Sequence, residues 1–124
     1  MIILNNSYGY IYKITNLING KIYIGQRKIY DEFRDDLSLD KYMGSGVYIN
    51  RSINKNGIEN FSKEIIDFAD SKEELNYKEK YWIKELGSLY KNGNGYNLTD
   101  GGMGGATYGG TECMEQRGKN KKQY

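Results

Sequence analysis

Three tyrosines and one glutamate carry the chemistry this chain could perform. Tyr10 and Tyr12 lie in "YIYK" and Tyr23 lies in "KIYIG", with the turn-forming pair Asn19-Gly20 between them. Strand alternation puts Tyr10, Tyr12 and Tyr23 on one face of a hairpin and Ile11, Ile22 and Ile24 on the other. Two registers preserve that parity. A two-residue turn pairs Tyr23 with Asn16, and a longer loop over residues 15–20 pairs Tyr12 with Tyr23. The isoleucine face suits a core, while the opposite face presents hydroxyls. Tyrosine is also a good strand former on a half-exposed face, so the pattern alone admits a structural reading.

The glutamate is Glu79. At 100° per residue it falls in the helical stripe of Leu75, Trp82 and Leu86, between Leu86 and Ile83. A carboxylate facing a core costs several kcal/mol unless it is paired or holds a metal. A structural ion pair, or a stripe edge that reaches water, satisfies the same pattern. Arg27, Lys28 and Arg34 supply cations after the second tyrosine strand, and Asn97 in "GYNLT" reads most simply as a turn residue.

These residues need elements to position them. Residues 8–15 and 21–26 read as strands, and "VYINRSINKNG" as a helix closing at Gly57. "NFSKEIIDFA" reads as a third strand with Phe61, Ile65 and Phe68 in the core. A second helix starts at Ser71, where "SKEE" matches a capping box, and stops before Gly87. A short ordered piece is expected at Tyr96–Leu98. The order β-β-α-β-α predicts a small α+β sheet with helices packed on it.

Length and composition narrow the classes. The 124 residues suit one modest domain, and no apolar run reaches the ~20 residues of a membrane span. The start "MIILNNSYGYIYK" has no basic leader and no small-residue cleavage site, so an intracellular, cytoplasmic protein is expected. Cys113 is the only cysteine and histidine is absent, which excludes an internal disulfide and a Cys/His zinc site. Residues 1–100 balance 14 Lys/Arg against 14 Asp/Glu. Residues 101–124 therefore carry the whole +2, four basic residues against two acidic. A stand-alone DNA clamp usually shows a stronger basic stripe. Residues 1–100 are read as the folded domain, and 101–124 as a Gly-rich linker with a short basic tail, flexible in the absence of a partner.

Taken together, the motifs resemble the GIY-YIG nuclease family, especially the homing and mobility endonucleases of phages and group I introns. The matching blocks are "YIY" at Tyr10–Tyr12, "YIG" at Tyr23–Gly25, "YMGSG" at Tyr42–Gly46, "NKNGIENF" at Asn54–Phe61, "EKYWIKEL" at Glu79–Leu86 and "GYNLTDGG" at Gly95–Gly102. The resemblance implies a three-stranded antiparallel sheet flanked by helices. It also implies hydrolysis of duplex DNA with one divalent ion, Mg²⁺ or Mn²⁺. By the same resemblance Tyr12 and Tyr23 match the motif tyrosines, Glu79 the metal-binding glutamate, and Asn97 the asparagine of the last motif.

Two departures stand out. The first motif lacks its leading glycine, although Gly9 is one position away. The family's Arg or Lys about ten positions after the second tyrosine is here Phe33, which leaves Arg34, and after it Lys28, for that role. With no histidine, any base must be a tyrosine or water activated by the ion. Tyr12 is the residue expected to orient and deprotonate the attacking water. One site cuts one strand, so a double-strand break needs a second protomer or two nicks. Such enzymes usually join the nuclease to a C-terminal DNA-binding region, for which the short tail is too small. An inactive nucleic-acid-binding module of the same fold, a restriction or repair nuclease, and an interaction domain with no nucleic-acid role are the competing classes.

Overall fold

The computed structural model describes residues 6–101; the linker and tail expected at 101–124 lie outside the described residues, Gly101 apart. Its elements are β1 (Gly9–Asn16), β2 (Ile22–Lys28), α1 (Val47–Asn56), β3 (Phe61–Ala69) and α2 (Lys72–Leu86). The sheet is wholly antiparallel in the order β2-β1-β3, with β1 central. This is the α+β architecture expected, and each element lies within about two residues of its predicted span.

The hairpin takes neither of the two registers. Tyr12 pairs with Gly25, Ile14 with Tyr23 and Thr15 with Ile22, midway between them. The cause is local. Asn16 Oδ1 accepts from the Ile18 amide and the Asn16 carbonyl accepts from Gly20, so the turn opens at Asn16. Gly20 takes the positive φ of 79° that closes it. Side-chain parity survives, because all three registers differ by even steps.

Both faces of the sheet are cores, which corrects the expectation of a hydroxyl-bearing open face. Ile11, Ile24 and Ala69 pack under Leu75 and Ile83 of α2. On the other face Tyr10 and Tyr12, 0 % and 1 % exposed, join Ile14, Ile29, Phe61 and Ile49 of α1. Phenol rings fill this second core because its roof, residues 37–43 and α1, leaves room for large flat groups and offers partners for their hydroxyls. A bulge in β3 opposite Ile11/Tyr12 keeps Phe68 and Ile65 on the tyrosine side while Ile66 and Asp67 turn toward α2.

α2 begins as its sequence dictates. Ser71 Oγ accepts the Glu74 amide, and Glu74 reaches back to the Asp70 amide in place of that of Ser71. Gly87 ends the helix in the left-handed region. The buried line runs Leu75, Glu79, Ile83; Leu86 is exposed, and the Trp82 indole donates to Asp67 at the stripe's margin. The stripe is therefore rotated from the one predicted, and Glu79 sits at its centre.

The exposed edge of β2 is closed by residues 94–97. Ile22 donates to the Asn94 carbonyl and accepts from the Tyr96 amide. Beyond that point a side chain replaces the backbone. Asn97 Oδ1 accepts from the Ile24 amide at 2.9 Å and from Ser88 Oγ, and Asn97 Nδ2 donates to the Ile24 carbonyl at 2.8 Å. Asn97→Leu leaves these buried groups without partners, so urea denaturation should show a loss on the order of 2–4 kcal/mol. A loss under about 0.5 kcal/mol, the range of ordinary surface substitutions, contradicts this role.

Candidate active site

Tyr12 is the centre of the arrangement. Its ring lies 6.1 Å from that of Tyr10, 6.3 Å from Tyr23 and 6.2 Å from Tyr42. Its hydroxyl crosses β2 at Gly25, where any Cβ would overlap the phenol oxygen. Gly44 and Gly46 close on the same group. A Cβ on Gly44 would stand 2.8 Å from the Tyr23 ring and 3.0 Å from the Tyr12 hydroxyl, and one on Gly46 2.9 Å from the Tyr23 ring. Asn50 of α1 holds this loop by donating to the Gly44 and Gly46 carbonyls. The glycines of "YIG" and "GSG" thus form one cradle around two phenol oxygens.

Glu79 approaches from the other side of the sheet. Its Oε1 accepts from Gln26 Nε2 at 2.8 Å, which ties α2 to β2 next to Gly25. The carboxylate is 8 % exposed, with Gly101 packed against it. Its charge reaches the phenols. Burial first, then neighbouring Tyr23, Tyr42 and Glu79, raise Tyr12 well above the ordinary phenol range. Burial and Glu79 push Tyr23 up to about 12, opposed by the Gly46 amide and the Tyr12 hydroxyl beside its oxygen. Both phenols hold their protons at neutral pH. To act as the base expected from sequence, Tyr12 needs a cation beside it that offsets burial and the Glu79 charge.

The cations distribute unexpectedly. Arg34 bonds Asp31 and the carbonyls of Ser7 and Ile29, fastening the turn at 31–34 to the start of β1. Lys28 leaves β2 on the α2 face, its ammonium 5.9 Å from the Tyr8 and Tyr30 rings. Neither is brought to the phenols. Asn97 is built into the sheet edge, with its oxygen accepting twice.

Arg27 and Lys63 are the cations on the tyrosine face. Arg27 Nε and Nη2 donate to the two oxygens of buried Asp40 at 3.0 and 3.2 Å, and the guanidinium stacks 4.1 Å from the Tyr42 ring centre. Tyr10 donates to the same carboxylate at 2.9 Å. Lys63 Nζ donates to the Tyr10 hydroxyl and the Asp40 carbonyl, each at 3.0 Å, and lies over the Tyr10 and Tyr12 rings. Burial works against the Asp40 charge, yet bonds from Arg27, Tyr10 and the Tyr42 amide hold its carboxyl below the usual range. Sequence reading passed over Asp40 and Lys63. The signal for Lys63 was its parity with Phe61 and Ile65, which puts an ammonium on the core face of β3.

A three-stranded antiparallel sheet with a buried helix-borne glutamate whose charge acts on two strand tyrosines fits a GIY-YIG fold. The family described as "Putative endonuclease segE, GIY-YIG domain" matches residues 2–96, and the chain belongs to this family. It is 46 % identical over 96 residues to "Putative endonuclease segB" of Enterobacteria phage T4, covering 77 % of this chain and 40 % of that protein. It is 43 % identical over 99 residues to "Putative endonuclease segE" of the same phage, covering 79 % and 44 %. Among solved structures, the catalytic domain of intron endonuclease I-TevI superposes with a TM-score of 0.55 at 33 % identity, over 82 % of this chain and 98 % of that one. The chain spans about two fifths of the length of the curated relatives it matches.

Lys63 supplies a pH test of the site's electrostatics. Burial, with Arg27 and Lys41 adding and Asp40 opposing, pushes it down to about 8. The folded chain therefore releases this proton at a lower pH than the unfolded chain does. Between pH 8 and 10 the unfolded state binds more protons, so stability rises with pH. Above 10 the buried tyrosines reverse the trend, because they keep protons that the unfolded chain loses. The stability of the parent relative to Lys63→Met should rise from pH 7 to pH 10; a flat difference contradicts the perturbation.

Proposed function

We propose that this chain is a DNA endonuclease domain of the homing or mobility type, hydrolysing phosphodiester bonds with one divalent ion. The observation that carries the reading is a buried carboxylate, Glu79, tied to β2 beside Gly25 through Gln26 and near enough for its charge to act on Tyr12 and Tyr23.

The donor set fits a hard, hydrated cation. Among the described residues no group of three or more His, Cys, Asp or Glu could form a closed cage. One carboxylate with phosphate and water oxygens is how Mg²⁺ or Mn²⁺ is commonly held, and Glu79 would be that ligand. Bound there, the ion supplies charge stabilisation for the phosphate and the leaving 3′ oxygen. The chain's own groups do the rest. Tyr12, its oxygen seated in the Gly25 cradle, orients the nucleophile, and Tyr23, fixed by the Gly46 amide, holds Tyr12 in place. Gln26 fixes the Glu79 carboxylate against β2. The substrate is duplex DNA, and a double-strand break requires a second protomer or two successive nicks.

The test is nicking of supercoiled plasmid with and without Mg²⁺. The parent should nick only with the ion, and Glu79→Gln should lose at least about 100-fold. Full-rate nicking by that variant contradicts the mechanism. Duplex binding with no nicking by the parent would move the reading to a binding module of the same fold.

A further inference from the structure

We propose that Arg27, carried on the tyrosine strand itself, is the residue that binds the scissile phosphate, and that Asp40 and Tyr42 position it. The proposal rests on the nuclease reading and fills the role that Phe33 leaves empty in this chain.

Placement comes first. Arg27 shares its strand and face with Tyr23 and Gly25, so it flanks the cradle of the Tyr12 hydroxyl by one alternation. Arg34 is fastened to the start of β1 and Lys28 leaves on the opposite face. Geometry comes second. Asp40 takes Nε and one Nη2 proton, and the Tyr42 and Tyr30 ring centres lie 4.1 and 4.9 Å from the guanidinium carbon. A guanidinium has five N–H donors in a fixed fork, so three remain for an anion, pre-oriented by the pair and the stack. Charge comes third. The buried carboxylate of Asp40 faces two cations, Arg27 and Lys63, with Tyr10 bridging them. While Lys63 holds its proton, one anion cannot balance both, and the cluster keeps a net positive charge beside the Tyr12 ring. Fixed positive charge at a partly buried site, already oriented before substrate arrives, is what a phosphate passing through a dianionic transition state requires.

Asp40 acts through Arg27 and touches no substrate. It is a positioning residue, and its substitution should add nothing once Arg27 is gone.

Plasmid nicking by Arg27→Met, Arg27→Lys, Arg34→Met and Asp40→Asn is compared with the parent, folding being checked by thermal melts. Arg27→Met should lose about 100-fold or more. Arg27→Lys should recover part of that, since it keeps the charge and loses the fork and the stack. Arg34→Met, if folded, should retain near-parental nicking. Asp40→Asn should slow the parent and leave the Arg27→Met background unchanged. The same variants are titrated with a short DNA duplex in metal-free buffer at several salt concentrations. Arg27→Met should reduce the salt slope by about one, and Arg34→Met should not.

Metal-dependent nicking lost in Glu79→Gln but at full rate in Arg27→Met would overturn this assignment and leave the nuclease reading standing. A parent that binds the duplex without cutting overturns the nuclease reading, and the salt slopes still decide whether Arg27 meets phosphate. An unchanged slope in Arg27→Met would remove the proposal there too.

Discussion

A phenol rooted in the central strand can reach the edge of the sheet only if the neighbouring strand puts nothing in its path. Gly25 is that gap. Tyr12 pairs with it, and the hydroxyl lies where a Cβ would stand. Much of the domain serves this crossing. The register set by Asn16 puts Gly25, and no bulkier residue, opposite Tyr12. The Gly44–Gly46 loop closes over the phenol without a side chain, and Asn50 pins the loop to α1. Shift the register by two residues and the phenol meets Tyr23 or Arg27, and the cradle is gone.

Burial gives the crossing its chemical character. Tyr10 and Tyr12 lie in a dry second core, so their hydroxyls must be bonded and their ionised forms are disfavoured. The chain meets that need with charged partners. Asp40 accepts from Tyr10 and anchors Arg27, and Lys63 spans Tyr10 and the Asp40 backbone. On the opposite face Glu79 is buried against Gln26. The sheet therefore separates a cationic cluster from an anionic carboxylate. A divalent cation held by Glu79, as proposed, would offset that carboxylate's charge on the phenols and make the tyrosine pair responsive to the ion.

Much of this was legible in the sequence. Strand parity placed the three tyrosines on one face whatever the register, because a period of two survives any even slip. Helical angle placed Glu79 in the buried stripe of α2, and only the resemblance suggested a metal for it. What could not be read was which residues roof the tyrosine face. Residues 37–46 have no periodicity, so nothing in them announced that Asp40 would be buried or that "YMGSG" would close on two hydroxyls. The cations were hard to place for a related reason. Counting positions along the chain favoured Arg34, whereas the strand's pleat decides which cation shares a face with Tyr23. Asn97, matched to a site by its motif, is held by backbone groups of β2 that only the closed edge reveals.

The central claim is that Glu79 brings a divalent ion to the side-chain-free crossing where Tyr12 emerges. Paramagnetic broadening of amide signals during Mn²⁺ titration of the folded chain tests it without relying on activity. The account predicts early broadening at Gly25, Gln26, Glu79 and Gly101, with Tyr12 and Tyr23 following, and its loss in Glu79→Gln. Broadening centred on other carboxylates, or unchanged in that variant, would contradict it.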